Sequence, residues 1–307
     1  MKICILGSFG KALVMKTDRI PIEGETLLSY DFYQAFGGKG SDMAVQAARL
    51  GADVYYLGVV GDDAYGKEFI ELMNTEKINT EGLRISNEQP TCIGFVIKDK
   101  KGHNIIVVNT GANALLNDAD IDIALPLIKQ SSVVLAQLEI PLSTALYGLN
   151  KAKIHGKTTI LNPAPAVKLS DADLSFVDIL TPNKTEALIA VGASPDSDIS
   201  NKEVAEELLK TGCNTVVMTL GADGAAVFSK SSSFVVNPYH VKSVDSNGAG
   251  DSFNAALAVA LAEGQHINKA VRYANAVAAL CCTKWETVPS YHKHEEVMLF
   301  LENNGGL

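Results

Sequence analysis

Short apolar runs rich in β-branched residues alternate with amphipathic stretches along most of this chain, and this alternation limits its fold more than any other feature. Strands that alternate with helices form β-α units, in which helices cover a largely parallel sheet. We predict strands over Lys2–Leu6, Asp53–Val59, Val133–Leu138, Thr158–Leu161, Asp178–Leu180, Thr215–Thr219 and Ala225–Phe228. We predict helices over Ser41–Leu50, Tyr65–Lys77, Ser143–His155, Lys202–Thr211, Ala249–Glu263 and Ile267–Cys281. The expected class is therefore α/β, with a mostly parallel sheet flanked by helices.

Two segments interrupt this alternation. Thr26–Phe36 forms one of them, and Thr91–Lys98 followed by Asn104–Asn109 across a Gly-containing turn forms the other. Neither contains a helical stretch, so both are typical of antiparallel strands. We expect them to form a small β lid at the C-terminal edge of the parallel sheet. With no repeat or linker in the sequence, we predict one domain over residues 1–307, with lid strands from about 10–36 and 90–110.

Charge and cysteine content exclude several classes of protein. The net charge is −9 and no block of basic residues occurs, so a nucleic-acid partner is not expected. The apolar run at the start is too short for a signal peptide, and no other run is long enough to span a membrane. Five cysteines, an odd number without a C-x-x-C pair, indicate reduced thiols. A cytoplasmic location without a membrane partner follows.

The segment D-S-N-G-A-G-D-S-F-N at Asp245–Asn254 carries the clearest chemical signal. An apolar run precedes it and a helix of small residues follows, so its glycines place free N–H groups and the positive helix end together. Asp251 then lies in the first helical turn, where a carboxylate can accept a proton from a hydroxyl. The turn by itself is equally compatible with an acid that only stabilises the helix.

This segment resembles the C-terminal signature of the ribokinase family of carbohydrate kinases, D-T-x-G-A-G-D-x-F. The family's N-terminal segment has a counterpart in G-G-K-G-S-D-M-A at Gly37–Ala44, followed by G-D-D-A-Y-G at Gly61–Gly66. Four further blocks follow in family order, namely Gln137–Glu139, Asn162–Pro165, Thr181–Glu186 and Thr219–Gly224. The resemblance covers nearly the whole chain. It implies a ribokinase-like three-layer fold and an ATP-dependent carbohydrate kinase that binds ATP and a small sugar.

The same resemblance implies roles for individual residues. Asp251 becomes the general base, and Gly248, Ala249 and Gly250 form the anion hole for the phosphoryl group. The nucleotide-binding positions are Asn183, Thr219, Gly221, Gly224 and Asn275. Glu186 is expected to hold Mg²⁺ through water, while Asp245 and Ser290 match positions that bind a monovalent cation, K⁺. Lys284–Thr287 stands where the family usually has a Gly-containing turn, which leaves the K⁺ site in question.

The resemblance places the sugar among Gly38, Lys39, Asp42, Glu139 and the turn after the first strand, which contains Lys11. Two positions depart from ribokinase proper. Gly10-Lys11-Ala12 replaces N-A-D, so the Asp that would hold two ring hydroxyls becomes Ala12, and Asp42 replaces the signature Asn. Lys11 pairing with Asp42 and Lys11 favouring an anionic substrate are both open interpretations. We hypothesise that the preferred substrate is not plain ribose.

Several alternatives remain beside a sugar kinase close to ribokinase. A nucleoside kinase or a phosphosugar kinase would use the same chemistry, and a catalytically silent relative would only sense a sugar. Phe36–Ser41 fails the P-loop pattern because Gly40 follows Lys39, and the glycines after the first strand fail the dinucleotide pattern. The lid strands also offer an exposed edge, so a homodimer formed through the lid is expected.

Overall fold

The computed structural model describes all 307 residues of the chain. The strands are β1 (Lys2–Leu6), β2 (Gly10–Thr17), β3 (Asp31–Gly37), β4 (Asp53–Gly61), β5 (Asn79–Ser86), β6 (Ile93–Asp99), β7 (Asn104–Asn109), β8 (Val133–Ala136), β9 (Thr158–Leu161), β10 (Ile179–Leu180), β11 (Thr215–Thr219), β12 (Ala225–Ser229) and β13 (Ser233–Val236). The α-helices are α1 (Lys39–Arg49), α2 (Ala64–Thr75), α3 (Asp118–Ile123), α4 (Leu125–Gln130), α5 (Leu142–Ile154), α6 (Lys184–Ala190), α7 (Asn201–Lys210), α8 (Ala249–Ala262), α9 (Ile267–Cys281) and α10 (His294–Asn303). Short 3₁₀ helices cover Gly111–Leu115, Gly221–Asp223 and Val288–Ser290.

Nine strands form the main sheet in the order β13-β12-β11-β10-β9-β8-β1-β4-β5. The pairs from β11 through β5 are parallel, and β12 and β13 add an antiparallel end. Strand β1 lies inside this sheet, where Ile3 pairs with Val54 on one side and with Val133 on the other. The predicted mostly parallel sheet is confirmed.

Helices cover both faces of the main sheet. Alternate residues of β1 enter two separate cores, with Ile3 and Ile5 on one face and Cys4 and Leu6 on the other. Because side chains alternate along a strand, one apolar strand contributes to both cores. Residues from α1, α2, α8, α9 and α10 fill the first core, and residues from α3 to α7 fill the second. The predicted three-layer α/β fold is confirmed.

The remaining four strands form a second sheet in the order β3-β2-β6-β7. Its two outer pairs are antiparallel, but β2 and β6 run parallel, so the prediction of purely antiparallel strands was wrong for this pair. The predicted strand from Thr26 was also too long, because β3 begins only at Asp31. Asp31 pairs with Lys16, close to the end of β2 at Thr17, so earlier residues have no neighbouring strand.

Sequence periodicity missed several short or polar elements. Strand β5 is largely polar and pairs only with β4 at the sheet edge, and β13 has four residues. Helices α3, α4 and α6 have six or seven residues each, which is too short for a clear helical period. None of the helices combines the length and the apolar composition that a membrane crossing requires.

Candidate active site

The glycine-rich turn leads directly into α8. Gly248 caps this helix with a φ of 76°, and a Cβ at Gly250 would meet nothing within 4 Å. The N–H of Ala249 donates to Ser246 O at 3.2 Å, whereas the N–H groups of Gly250 and Asp251 donate to no backbone carbonyl. The N–H of Gly248 has no acceptor either, so the free donors of this turn include those of Gly248, Gly250 and Asp251. Sequence reasoning had not included the Asp251 N–H, because motif spacing does not show which amides are already bonded.

Asp251 lies in the first turn of α8 and is 7% exposed. Burial is the main cause that raises the pKa of its carboxyl to about 6, and the positive charge of Lys39 opposes this rise. The Lys39 Nζ atom lies 3.8 Å from Asp251 Oδ1, which has no hydrogen-bond partner. At neutral pH the carboxylate is mostly ionised and can accept a proton.

Glu139 follows β8 in the chain and forms a hydrogen bond with the first residue of α1. Its Oε2 atom accepts hydrogen bonds from the Lys39 N–H at 2.8 Å and from Ser8 Oγ at 2.6 Å. Gly38 precedes α1 with a φ of 97°, and a Cβ there would lie 2.7 Å from the Cα of Phe9. Only glycine permits this close approach. The structure thus brings Gly38, Lys39 and Glu139 together beside Asp251.

Negative charge is in excess around Lys39. The carboxylates of Asp251, Glu139, Glu186 and Asp42, in decreasing order of effect, raise the pKa of the Lys39 ammonium against the effect of burial. Four carboxyl groups therefore act on the charge of one ammonium, and the carboxyl of Asp251 lies 3.8 Å from it. A site with this balance favours a further cation or a hydrogen-bond donor from a ligand.

Asp42 lies in the first turn of α1 and is 3% exposed. Burial raises the pKa of its carboxyl well above the usual range, and the negative charge of Asp251 raises it further. Its Oδ1 atom has no hydrogen-bond partner. The structure therefore places the position that departs from the family signature next to the candidate base.

Lys11 lies away from Asp42, which corrects the interpretation that these two residues pair. Its Nζ atom lies 2.5 Å from Glu68 Oε2 on α2 and 4.1 Å from the centre of the Phe36 ring. Lys11 and Ala12 are adjacent in β2, so their side chains point to opposite faces of the second sheet. Lys11 lies on β2, within the region where lid strands were predicted, and the alternation of this strand directs Lys11 to α2.

A pocket of about 420 Å³ opens beside the glycine-rich turn. All five predicted nucleotide-binding residues line it, together with Ala249 and Gly250. Asn275 also anchors the pocket wall, because its Nδ2 atom donates to the carbonyls of Val236 and Asn237 at 3.2 and 3.1 Å. Sequence reasoning assigned no role to three further lining residues inside the quoted motifs, namely Ala222, Ser246 and Phe253. It also missed lining residues outside the motifs, namely Pro238, Tyr239, His240, Val241, Ser243, Ala278, Ala279 and Cys282.

Asn183 and Glu186 form the capping box of α6. Asn183 Oδ1 accepts from the Glu186 N–H and Glu186 Oε2 accepts from the Asn183 N–H, both at 2.8 Å. Burial raises the pKa of Glu186, while these contacts and Lys39 oppose the rise. The N-x-x-E spacing therefore has a structural cause. The second carboxylate oxygen of Glu186 takes no protein hydrogen bond.

Asp245 precedes α8 and contacts the loop that follows α9, and Ser290 lies within that loop. Asp245 Oδ1 accepts from the Asn247 N–H and Oδ2 accepts from the Glu286 N–H, both at 3.1 Å. The Ser290 hydroxyl donates to Thr287 O at 2.7 Å and contacts the Cys281 sulfur at 3.1 Å. Glu286 adopts a φ of 66° in this loop, the left-handed conformation in which glycine is usual.

Comparison with known proteins gives a consistent result. The family model described as pfkB family carbohydrate kinase matches residues 1–293. A ribokinase of Haemophilus influenzae is 36% identical over 301 residues, covering 98% of each chain. A deoxyribokinase of Salmonella typhi is 31% identical, covering 99% of this chain and all of the other. The structure of Arabidopsis thaliana ribokinase complexed with ribose and ATP has a TM-score of 0.87 at 28% identity, covering 97% of each chain.

Proposed function

The chain belongs to the pfkB family of carbohydrate kinases, and from this membership we propose how its residues divide the work of phosphoryl transfer. It is an ATP-dependent sugar kinase. We place ATP in the pocket beside the glycine-rich turn and the sugar between Gly38, Lys39, Asp42 and Glu139. One observation carries the proposal: the buried Asp251 carboxylate and the unbonded N–H groups of Gly248, Gly250 and Asp251 lie where the pocket meets α8.

The chemistry follows from this arrangement. Asp251 takes the proton of the attacking sugar hydroxyl, and the hydroxyl oxygen forms a bond to the γ-phosphorus while the bond to ADP breaks. The N–H groups of Gly250 and Asp251, with the positive end of α8, stabilise charge on the phosphoryl oxygens. The unbonded N–H of Gly248 adds a third donor, whereas Ala249, whose N–H is bonded to Ser246 O, shapes the turn. Asn183, Thr219, Gly221, Gly224 and Asn275 hold the nucleotide.

The site is suited to Mg²⁺. Carboxylates exceed ammonium groups around Lys39, and one oxygen of Glu186 is free of protein donors. No three His, Cys, Asp or Glu side chains converge to hold a metal ion by themselves, so Glu186 would hold Mg²⁺ through water beside the ATP phosphates. When bound, Mg²⁺ would neutralise negative charge on the transferring group.

Protein hydrogen bonds already order the residues of the K⁺ site. Both oxygens of Asp245 accept protein N–H groups, and the Ser290 hydroxyl is bonded to Thr287 O beside the Cys281 sulfur. Protein donors thus already hold the loop that a cation would order. We expect equal activity in potassium chloride and choline chloride, and assign no catalytic step to K⁺.

The sugar contacts favour a substrate other than plain ribose. Ala12 offers no hydrogen bond where ribokinase has a carboxylate, and losing such a contact costs roughly ten- to a hundredfold in affinity. A deoxyribokinase among the relatives supports variation of the sugar within this family. Lys11 no longer favours an anionic substrate, because Glu68 neutralises it.

Two other functions compete with this proposal. A nucleoside or phosphosugar kinase would share the reaction, and a silent sugar sensor would lack it. The intact base and open anion hole argue against a sensor, since sugar binding alone does not require a buried carboxylate in the first turn of α8.

The proposal also includes a homodimer and a cytoplasmic location. Large apolar side chains of the second sheet are exposed, which supports an interface there. All five cysteines are free thiols, which is typical of a reducing compartment.

The test measures ADP release from Mg-ATP with a panel of pentoses, hexoses, deoxy sugars, phosphosugars and nucleosides, in potassium chloride and in choline chloride. We expect one sugar class to give strong turnover that falls by roughly two to four orders of magnitude in Asp251→Asn, with ATP binding retained. Sugar binding without turnover in the wild type would instead support the sensor. Unchanged turnover in Asp251→Asn would remove Asp251 from the mechanism.

A further inference from the structure

One wall of the nucleotide pocket is formed by a segment without helix or strand. Residues 237–241 follow β13, and Pro238, Tyr239, His240 and Val241 line the pocket. We call residues 237–241 the wall segment. Irregular backbone gains no hydrogen bonds from a helix or a sheet, so its position depends on contacts with neighbouring elements.

Two contacts hold the beginning of the wall segment. Asn275 on α9 donates to the carbonyl of Asn237 at 3.1 Å and to that of Val236, the last residue of β13, at 3.2 Å. Gly224 packs against the same place, since a Cβ there would lie 2.3 Å from Val236 O and 2.8 Å from the nitrogen of Pro238. The wall segment therefore leaves β13 in a defined direction.

The rest of the wall segment is held by one side chain. Among residues 238–241, the Tyr239 hydroxyl is the only group that forms a hydrogen bond with another part of the protein. It donates to Gly306 O at 2.8 Å and accepts from Arg272 Nε at 3.1 Å. The Tyr239 ring also packs against Phe300 of α10, with 5.7 Å between the ring centres. The hydroxyl thus connects the wall segment to α9 and to the residues after α10.

Both partners of this hydroxyl have fixed positions. The Gly306 N–H donates to Leu301 O at 2.8 Å, and Leu301 is buried in the core. This bond closes the last turn of α10, where Gly306 adopts a φ of 68°. Arg272 lies on α9 three residues before Asn275, so one face of this helix supports both parts of the wall segment. A fixed frame therefore sets the position of the wall segment.

We propose that Tyr239 is a positioning residue for the nucleotide, whose hydroxyl holds the wall segment in the shape that the bound nucleotide requires. Without its two hydrogen bonds, residues 238–241 would have to be ordered when the nucleotide binds, and the entropy lost in that step lowers the affinity. The sugar is held by other elements, so its binding does not depend on Tyr239. This role rests on the proposed function for the presence of ATP in this pocket.

The first test is Tyr239→Phe, which keeps the ring against Phe300 and removes only the hydroxyl. We expect the dissociation constant of Mg-ATP, measured by calorimetric titration, to rise by about three- to tenfold. The KM for ATP should rise by the same factor, because the affinity for the nucleotide is what changes. The KM for the sugar and kcat at saturating ATP should stay within twofold.

The matched control is Tyr147→Phe. The Tyr147 hydroxyl on α5 contacts both carboxylate oxygens of Asp122 at 3.0 Å, and neither residue lines the pocket. This variant should bind ATP as the wild type does. Urea unfolding of both variants measures any general loss of stability. A lower stability of Tyr239→Phe with an unchanged dissociation constant for ATP would make Tyr239 a packing residue and overturn the proposal.

A double-mutant cycle tests the connection through the hydroxyl. Arg272 lines no part of the pocket, so Arg272→Met should weaken ATP binding only through Tyr239. The two changes should therefore be non-additive, with little further loss of affinity when Arg272→Met is combined with Tyr239→Phe. Additive effects would contradict this connection.

The same titrations separate this role from the kinase assignment. A wild type that binds no ATP would contradict the proposed function itself, and with it the role of Tyr239. Tight ATP binding by the wild type, with less than a twofold change in Tyr239→Phe, would overturn only the role of Tyr239.

Discussion

Asp251 shows how one buried carboxyl is prepared as a base. Burial raises its pKa to about 6, and Lys39 limits that rise. Because only the ionised form accepts the sugar proton, kcat/KM should fall about tenfold per pH unit below pH 6 and level off above it. Removing the Lys39 charge in Lys39→Met should move this acidic limb to higher pH.

The measurement is a pH–rate profile of both proteins under saturating Mg-ATP. The position of the limb separates an electrostatic effect of Lys39 from a loss of sugar binding, which would lower the whole profile without moving it. An unchanged limb in Lys39→Met would show that Lys39 does not influence the base. A limb in the wild type near the ordinary value of 3.8 would show that burial does not act on Asp251.

At the scale of elements, one ion pair connects the second sheet to the main body. Lys11 on β2 is almost fully buried and pairs with Glu68 on α2, whose side chain is 40% exposed. Lys11→Met should lower the free energy of unfolding by about 1–2 kcal/mol through loss of the ion pair and of the contact with Phe36, since Glu68 can be hydrated. The KM for the sugar should stay within twofold, because Lys11 faces away from the site.

Lys16→Met provides the control for this change. Lys16 lies on the same strand and pairs with Asp31, but both side chains are well exposed, so the loss should stay below about 0.5 kcal/mol. Urea unfolding and sugar kinetics are measured on both variants. A tenfold rise in sugar KM without loss of stability in Lys11→Met would show that Lys11 contributes to sugar binding.

At the scale of the whole molecule, the second sheet exposes large apolar side chains, and most of them lie on one face. Strand alternation and register place five exposed residues on this outer face, namely Met15, Phe32, Phe95, Ile105 and Val107. Phe95 and Val107 are direct cross-strand partners near its centre. Because a large exposed apolar face marks an interaction surface, we expect a homodimer that buries it.

Sedimentation tests this expectation. The wild type should behave as a dimer of 32.6 kDa chains, and Phe95→Glu with Val107→Glu should give monomers, because burying four carboxylates in one interface is unfavourable. Ile154→Glu, a change at an exposed apolar residue of α5, should leave the dimer intact. A monomeric wild type at micromolar concentration would refute the interface.

Local sequence signals determined the bounds of several strands and helices of this protein. Strands β1, β9 and β11 and helix α9 have the predicted bounds, since apolar runs and helical periods encode backbone conformation within a few residues. The glycine-rich turn likewise marks the beginning of α8, because Gly248 adopts a conformation that favours glycine. These signals sufficed for a mostly parallel sheet flanked by helices, whereas the three-layer fold and the residues around Asp251 were implied by the resemblance to the family.

Only the tertiary structure decided which side chains face one another. Lys11 pairs with Glu68 because β2 is a strand whose alternation directs it to α2, and Arg49 on α1 donates to the carbonyls of Val288 and Tyr291 in the loop after α9. Such contacts join residues tens to hundreds of positions apart. Their partners depend on how sheets and helices pack, and no period or local motif carries that information.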